Sequence, residues 1–273
     1  MESRIQPHNQ AAAGVWSSAG ASYDQISRQI ASALDHCVER VAPEPGEHVL
    51  DVATGTGWTS RLLARRGATV VGTDFAPEAL ATARALAHAE GLDITYELGD
   101  AEQLPFATGQ FDAIVSTCGV MFASHPEAAA AELARVCRPG GRLALVTWPT
   151  DSSVFAMFQI LREYMPAPPS PPPPSPFAWG NPDRVRELLG EAFDLKFEEG
   201  TTVYYGRDGS AAWDAFVAGY GPMKNLAASL DPARRAALRQ QFAALHDACA
   251  TPLGFALPRK YLLAVGMRRG QAA

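Results

Sequence analysis

Between residues 48 and 148, short apolar runs alternate with helical patterns, and this alternation constrains the chain more than any other feature of it. Residues 48–52, 68–73, 94–98, 111–117 and 142–148 have the length and β-branched or apolar character of strands. Between them, residues 58–66 place Leu62 and Leu63 on a helix that Gly67 stops, residues 77–90 form an Ala-rich helix opened by Pro77, and residues 126–136 form a third. Pro139-Gly140-Gly141 reads as a turn. Strands and helices that alternate at such short intervals build βαβ units, and so a parallel sheet covered by helices.

The rest of the chain is organised around this core. Eight of the eleven residues in 166–176 are proline, a stretch that must be extended because proline fixes φ and lacks a donor. Beyond it, Asn181-Pro182-Asp183 caps a helix that runs to Leu189, and residues 196–205 read as a strand. Helical patterns over 210–226 and 231–250 precede a terminal strand at 259–268, and residues 23–41 are the best helical stretch before the core. The expected division is a helical N-terminal cap (1–47), a ligand-binding core (48–150), a Pro-rich segment with one helix (151–194), and two final strands (195–273) with a helical insertion at about 209–250.

Composition narrows the function. A 273-residue chain that is 47% hydrophobic and 19% charged is an ordinary globular α/β protein, not a disordered one. No run of about 18 apolar residues is present, so no membrane helix is expected. The first ten residues are polar and lack the apolar centre of a signal peptide, so a cytoplasmic location is expected. A net charge of −6 argues against a nucleic-acid partner. Arg61, Arg65 and Arg66 come nearest to a basic patch and read as a solvated helix face. The four cysteines form no C-x-x-C pair and the histidines no H-x-x-x-H, so no metal is expected.

The chemistry is most legible where the first strand runs through Gly55-Thr56-Gly57 into a helix. Small residues let a ligand approach the backbone, and the helix start offers free N–H groups. A dinucleotide fingerprint would need glycine or alanine at position 60, where Ser60 stands. Asp51, at the end of the strand, also disfavours a pyrophosphate and suits a cationic ligand. S-adenosylmethionine, with its sulfonium and ammonium, is such a ligand.

Residues 48–148 resemble the core of the class I S-adenosylmethionine-dependent methyltransferases. Val49-Leu50-Asp51-Val52-Ala53-Thr54-Gly55-Thr56-Gly57 is similar to the first motif of that family, with Ala53 where glycine is commonest. Asp74 ends the second strand, where the family places an acidic residue. Gly99-Asp100-Ala101-Glu102-Gln103-Leu104-Pro105-Phe106, Phe111-Asp112-Ala113-Ile114-Val115 and Leu133-Ala134-Arg135-Val136-Cys137-Arg138-Pro139-Gly140-Gly141 match in order.

The resemblance implies a Rossmann-like, doubly wound sheet of seven strands, mostly parallel, with an antiparallel last strand and helical cap insertions. It implies that Asp51 faces the ammonium, that Ala53, Gly55 and Gly57 pass under the methionine part, and that Asp74 accepts both ribose hydroxyls. Asp100 and Ala101 would bind the adenine edge with Glu102 beside them, Phe75 would flank the ring, and Thr117 and Cys118 would line the methionine end. Tyr23, with Trp16, would fold over the sulfonium, although the same aromatics could merely anchor the first helix. S-adenosylhomocysteine would be the product.

In-line methyl transfer needs alignment and dryness more than a base. His125 is the first candidate base and Tyr23 the second; each has a structural alternative, as a loop residue and a helix anchor. Trp16, Met121, Phe122, Trp148, Phe155, Trp179, Trp213 and Tyr220 are candidates for an acceptor pocket or for ordinary core. The branch resembled contains quinone C-methyltransferases and natural-product enzymes, but Gly119-Val120-Met121-Phe122-Ala123 lacks the Arg-Asn pattern of the quinone enzymes. The expected function is O- or C-methylation of a small apolar or aromatic acceptor by a monomer or homodimer. The rivals are a methyltransferase-fold cyclase and a non-catalytic binding protein.

Overall fold

The computed structural model describes residues 4–168, 170 and 172–270. All five expected core strands form: β1 (His48–Val52), β2 (Thr69–Asp74), β3 (Ile94–Leu98), β4 (Phe111–Thr117) and β5 (Cys137–Thr147). The two later strands are longer than the sequence indicated, β6 (Phe193–Gly206) and β8 (Gly254–Arg268), with a two-residue β7 (Ala250–Thr251) beside β8. The sheet runs β3-β2-β1-β4-β5-β8-β6. The first five strands pair in parallel, and β8 is antiparallel to both β5 and β6. This is the expected seven-stranded mixed sheet, with β7 as a short addition off the main path.

Burial explains the order. Four consecutive residues of β1, Val49 to Val52, are buried, as are Ala113 to Ser116 of β4. Strands buried on both faces need helices on both sides. Helix α3 (Ala31–Val41) packs on α4 (Trp58–Arg65), and α6 (Pro126–Val136) packs on α8 (Pro182–Leu189), with α5 (Pro77–Ala89) against β2 and β3. Leu50, Ile114, Leu143 and Leu145 are fully buried at the centre.

The remaining helices form a roof. Helices α1 (Gln10–Ser17) and α2 (Tyr23–Arg28) meet α9 (Gly209–Gly219) and α10 (Gly221–Ser229), and α11 (Pro232–Asp247) lies on α9 and on α7 (Ser153–Tyr164). Asp208 and Asp231 cap α9 and α11 by accepting bonds from Ala211 N at 2.7 Å and Ala233 N at 3.0 Å.

Three expectations change. Residues 23–41 are two helices, because Ile30 (φ −119°, ψ 16°) leaves the helical region. Residues 210–226 are also two, broken at Tyr220 (φ −113°, ψ 103°) where Pro222 opens the next helix. Arg61 is no part of a solvated face: it is 4% exposed and donates to Thr56 O at 2.7 Å and pairs with Asp24 and Glu90. Arg65 and Arg66 do face solvent, paired with Glu90 and Glu39. Within the Pro-rich stretch, the described residues before Pro176 have no helix or strand, and Pro169 and Pro171 lie outside the described residues.

Candidate active site

The loop after β1 turns through three left-handed residues, Ala53 (φ 56°), Gly55 (φ 56°) and Gly57 (φ 75°). Gly57 is required for packing as well as conformation: a Cβ there would lie 2.2 Å from Tyr96 Oη. It therefore shapes the start of α4 and does not line the cavity above. Asp51 does not line it either. Its carboxylate is wholly buried beneath the loop, where Oδ2 accepts from Thr54 Oγ1 and Ser60 Oγ, both at 2.7 Å. The polar Ser60 and Thr54 claim the carboxylate that was expected to face the ammonium. Burial pushes its pKa up to about 6, against the pull of the Thr54 and Ser60 bonds. Its Oδ1 has no partner among the described residues.

Asp74, ending β2, does line the cavity. Its Oδ2 accepts from Gly55 N at 2.8 Å and its Oδ1 from Ala76 N at 2.9 Å, so it fixes the glycine loop and the start of α5 together. Burial raises its pKa to about 6, with the Ala76, Gly55 and Phe75 N–H groups opposing.

Asp100, after β3, is 2% exposed and already carries three bonds: Gln6 N at 3.0 Å and Asn9 Nδ2 at 2.9 Å on Oδ2, and Glu102 N at 3.0 Å on Oδ1. The polar N-terminal segment is thereby laid across the end of β3. Glu102 faces away from the cavity. Its carboxylate takes His125 N at 3.0 Å, His8 Nε2 at 2.7 Å and His125 Nδ1 at 2.8 Å. Burial alone would raise its pKa, but the bonds from His125, His8 and Asn9 prevail and hold it near 2. His8, Glu102 and His125 are of metal-ligand type, with candidate ligand atoms within 4.8 Å of one another.

Above the strand ends lies a cavity whose space, counted with the solvent at its mouth, is about 1040 Å³. Of the residues expected there, Trp16, Tyr23, Ala53, Gly55, Asp74, Phe75, Asp100, Ala101, Thr117, Cys118 and Phe122 line it. A second chamber, about 520 Å³ when the solvent at its mouth is counted, adjoins it. The two share Trp16, Tyr23, Ser27, Ile30, Cys118 and Phe122, so they lie side by side on a common wall. Trp148 and Tyr220 line the second chamber. Trp16 is the hinge of this wall, with ring centroids 6.1 Å from Tyr23, 5.1 Å from Phe122 and 5.5 Å from Tyr220.

Other expected residues are elsewhere. His125 lines neither space: its side chain is 61% exposed and its ring packs edge-on to His8 at 4.4 Å. A solvated imidazole outside the chamber is a loop residue, not a base for a buried acceptor. Met121, Trp179 and Trp213 are buried in the core, and Phe155 packs on Phe177 at 4.8 Å. Tyr23 does lie over the glycine loop, its ring 3.2 Å from where a Gly55 Cβ would be. Burial first, then Cys118 and Asp74, push its phenol pKa far above the usual value, so it stays protonated and is no base. Cys118, which holds a left-handed φ of 57°, is likewise kept as a thiol by burial.

Sequence reasoning missed Asn9, Ser27, Ile30 and Thr59 in the first cavity and Arg259 in the second. Asn9 had no signal except its place in a polar leader. Arg259 was visible only as a charge inside an apolar strand.

The family described as "Methyltransferase domain" matches residues 50–145, the part of the chain that carries the loop, Asp74 and Asp100. An uncharacterized protein of Mycobacterium tuberculosis is 41% identical over 180 residues, which span 65% of this chain and 65% of that protein, just under two thirds of its length. A demethylmenaquinone methyltransferase of Thermus thermophilus is 40% identical over 134 residues, 46% of this chain and 61% of its own length. Among solved structures, the YcgJ protein of Bacillus subtilis has the same fold, with a TM-score of 0.61 at 19% identity over 88% of this chain and 99% of that one. No helix among the described residues is long and apolar enough to cross a membrane.

Proposed function

Because residues 50–145 match the methyltransferase-domain family, we propose that this protein is a class I S-adenosylmethionine-dependent methyltransferase that transfers a methyl group to a small apolar or aromatic acceptor, by O- or C-methylation. The observation that carries the reading is the placing of two neighbouring spaces on one shared wall that includes Tyr23, Cys118 and Phe122: one at the strand ends, bordered by Asp74 and Asp100, and an aromatic one beside it. Ligands of open α/β sheets bind beyond the carboxyl ends of the strands, where the first cavity lies.

The residues fit the cofactor by their chemistry. Asp74 keeps acceptor capacity beyond its backbone bonds and is the acceptor for the ribose hydroxyls. Asp100 has capacity for one further donor, the adenine amino group, with Phe75 and Ala101 beside it. Thr59 and Thr117, bonded to each other at 2.8 Å, and Cys118 border the methionine end. Asp51 acts through Thr54 by fixing the loop. S-adenosylmethionine supplies a methyl group activated by a sulfonium. The rings of Tyr23, Trp16 and Phe122 cover that position, attract the cation and exclude water.

None of the described residues lining either space carries an imidazole, so catalysis rests on alignment and dryness. Residues 1–47 and the insertion at 209–250 serve as the cap over the acceptor, supported by the contacts of α1 and α2 with α9 and α10. The test is calorimetric titration with S-adenosylmethionine, S-adenosylhomocysteine and NADH, followed by a screen of phenolic acceptors for S-adenosylhomocysteine release. Micromolar binding of the first two ligands alone is expected. Binding of NADH alone, or of none of the three, contradicts the reading.

A further inference from the structure

Arg259 is the feature of the second chamber that methyl transfer leaves without a role. It sits on β8, paired in register with Thr202 of β6, and is 4% exposed. Its guanidinium lies over the rings of Tyr204 at 4.5 Å and Phe216 at 5.7 Å, and Nη1 donates to Gln29 Oε1 at 3.2 Å. Among the described residues no carboxylate pairs with it. The other titratable groups lining the chamber are Tyr23, Cys118 and Tyr220, and burial holds all three in their neutral, protonated forms. Burial also lowers the pKa of Arg259, to about 10, which leaves it a cation at neutral pH. Among the described residues, the chamber therefore carries one positive charge and nothing to neutralise it.

A buried charge without a counter-ion is costly. Ring faces offset part of that cost but supply no countercharge. The bond to Gln29 is long, to a neutral acceptor, and uses one of five guanidinium donors. A planar fork with free donors in an apolar, aromatic space is a receptor for an oxyanion on a planar body. The chamber also lacks a group able to remove a proton, so an acceptor that arrives already ionised suits it.

We propose that Arg259 is the specificity residue of the acceptor site, and that the acceptor is a small aromatic acid bound as its oxyanion, a carboxylate or an acidic phenolate, against the guanidinium. This rests on the methyltransferase reading for the identity of the neighbouring cavity.

The test uses the full chain saturated with S-adenosylhomocysteine, whose own titration comes first. Failure of that titration contradicts the cofactor reading and is distinct from a failure of the acceptor titrations. The complex is then titrated with benzoate and cinnamate against their amides, and with 4-nitrophenolate against 4-nitroanisole. The expected result is that at least one anion binds about tenfold or more tightly than its neutral partner, the scale of a charge-assisted bond. The pair that shows the preference tells carboxylate from phenolate. In Arg259→Met the preference falls to within about twofold while S-adenosylhomocysteine binding is unchanged, and Arg259→Lys keeps part of it. Equal binding of acids and neutral partners in the wild type, binding of no anion, or a preference that survives Arg259→Met overturns the proposal. If Arg259→Met does not fold, the wild-type pairs and Arg259→Lys decide it.

Discussion

Replacing Asp74 by asparagine separates two jobs that one carboxylate performs. In the structure its two oxygens accept the N–H groups of Gly55 at 2.8 Å and Ala76 at 2.9 Å. A carboxamide has one oxygen, so one of these buried N–H groups meets an NH2 and loses its acceptor, at a cost of about 1–3 kcal/mol. Against this, the wild-type carboxyl is moved by burial from its usual 3.8 to about 6. Its anion is therefore disfavoured in the fold by roughly 3 kcal/mol at neutral pH, a cost the amide avoids. The two effects nearly cancel, so the apoprotein should melt close to the wild-type temperature. Cofactor binding has no such compensation. Loss of hydrogen bonds from the ribose to a charged acceptor costs about 1–3 kcal/mol, or roughly 5- to 150-fold in affinity. Calorimetry with S-adenosylhomocysteine measures this. 5′-Methylthioadenosine, which keeps the ribose and lacks the amino-acid end, should lose the same factor. A folded Asp74→Asn that binds both ligands within twofold of wild type refutes the ribose assignment.

The same geometry makes three further predictions. A carboxyl whose folded pKa lies above its unfolded one stabilises the fold fully below pH 3.8, and that stability is lost as pH rises through about 6. Wild type should therefore gain about 1–2 kcal/mol on Asp74→Asn between pH 8 and pH 5, and equal melting differences at the two pH values would contradict this. Tyr23→Phe should leave S-adenosylhomocysteine affinity within about threefold, because the phenol is neither ionised nor a base, whereas Tyr23→Ala removes the ring over Gly55 and should weaken binding roughly tenfold; equal effects of the two would show that the hydroxyl matters and the ring does not. Gly57→Ala combines a left-handed φ of 75° with a Cβ 2.2 Å from Tyr96 Oη. It should lower stability by about 2–4 kcal/mol in denaturant melts, and a neutral result would mean that the loop is not held as described.

Strand-end residues were legible because sheet and alternation leave them little choice. Once β1 and β2 are parallel neighbours, Asp74 and the glycine loop must lie side by side, and the sequence order alone places them there. Direction within that order was not legible. Asp51 stands one residue before the end of β1 and Asp74 ends β2, but Thr54 and Ser60 hold one below the loop while two N–H groups hold the other above it. Aromatic type did not distinguish pocket from core either: Trp148 lines the chamber, and Trp179, with the same size and hydrophobicity, is 1% exposed in the core. Arg259 reaches the site through the antiparallel pairing of β8 and the break between α2 and α3 that frees Gln29 to meet it. Both are long-range facts that no local pattern of residues encodes. His125 does follow β4, but its ring bonds to the carboxylate of Glu102 and packs on His8 at the surface, outside both spaces.

A crystal structure of the complex with S-adenosylhomocysteine tests the central claim most directly. The account predicts both ribose hydroxyls within hydrogen-bonding distance of Asp74, the adenine beside Phe75 and Ala101, and the sulfur directed past Cys118 toward the chamber that holds Arg259. A ligand bound elsewhere, or one seated in the cavity with its ribose away from Asp74, would contradict it.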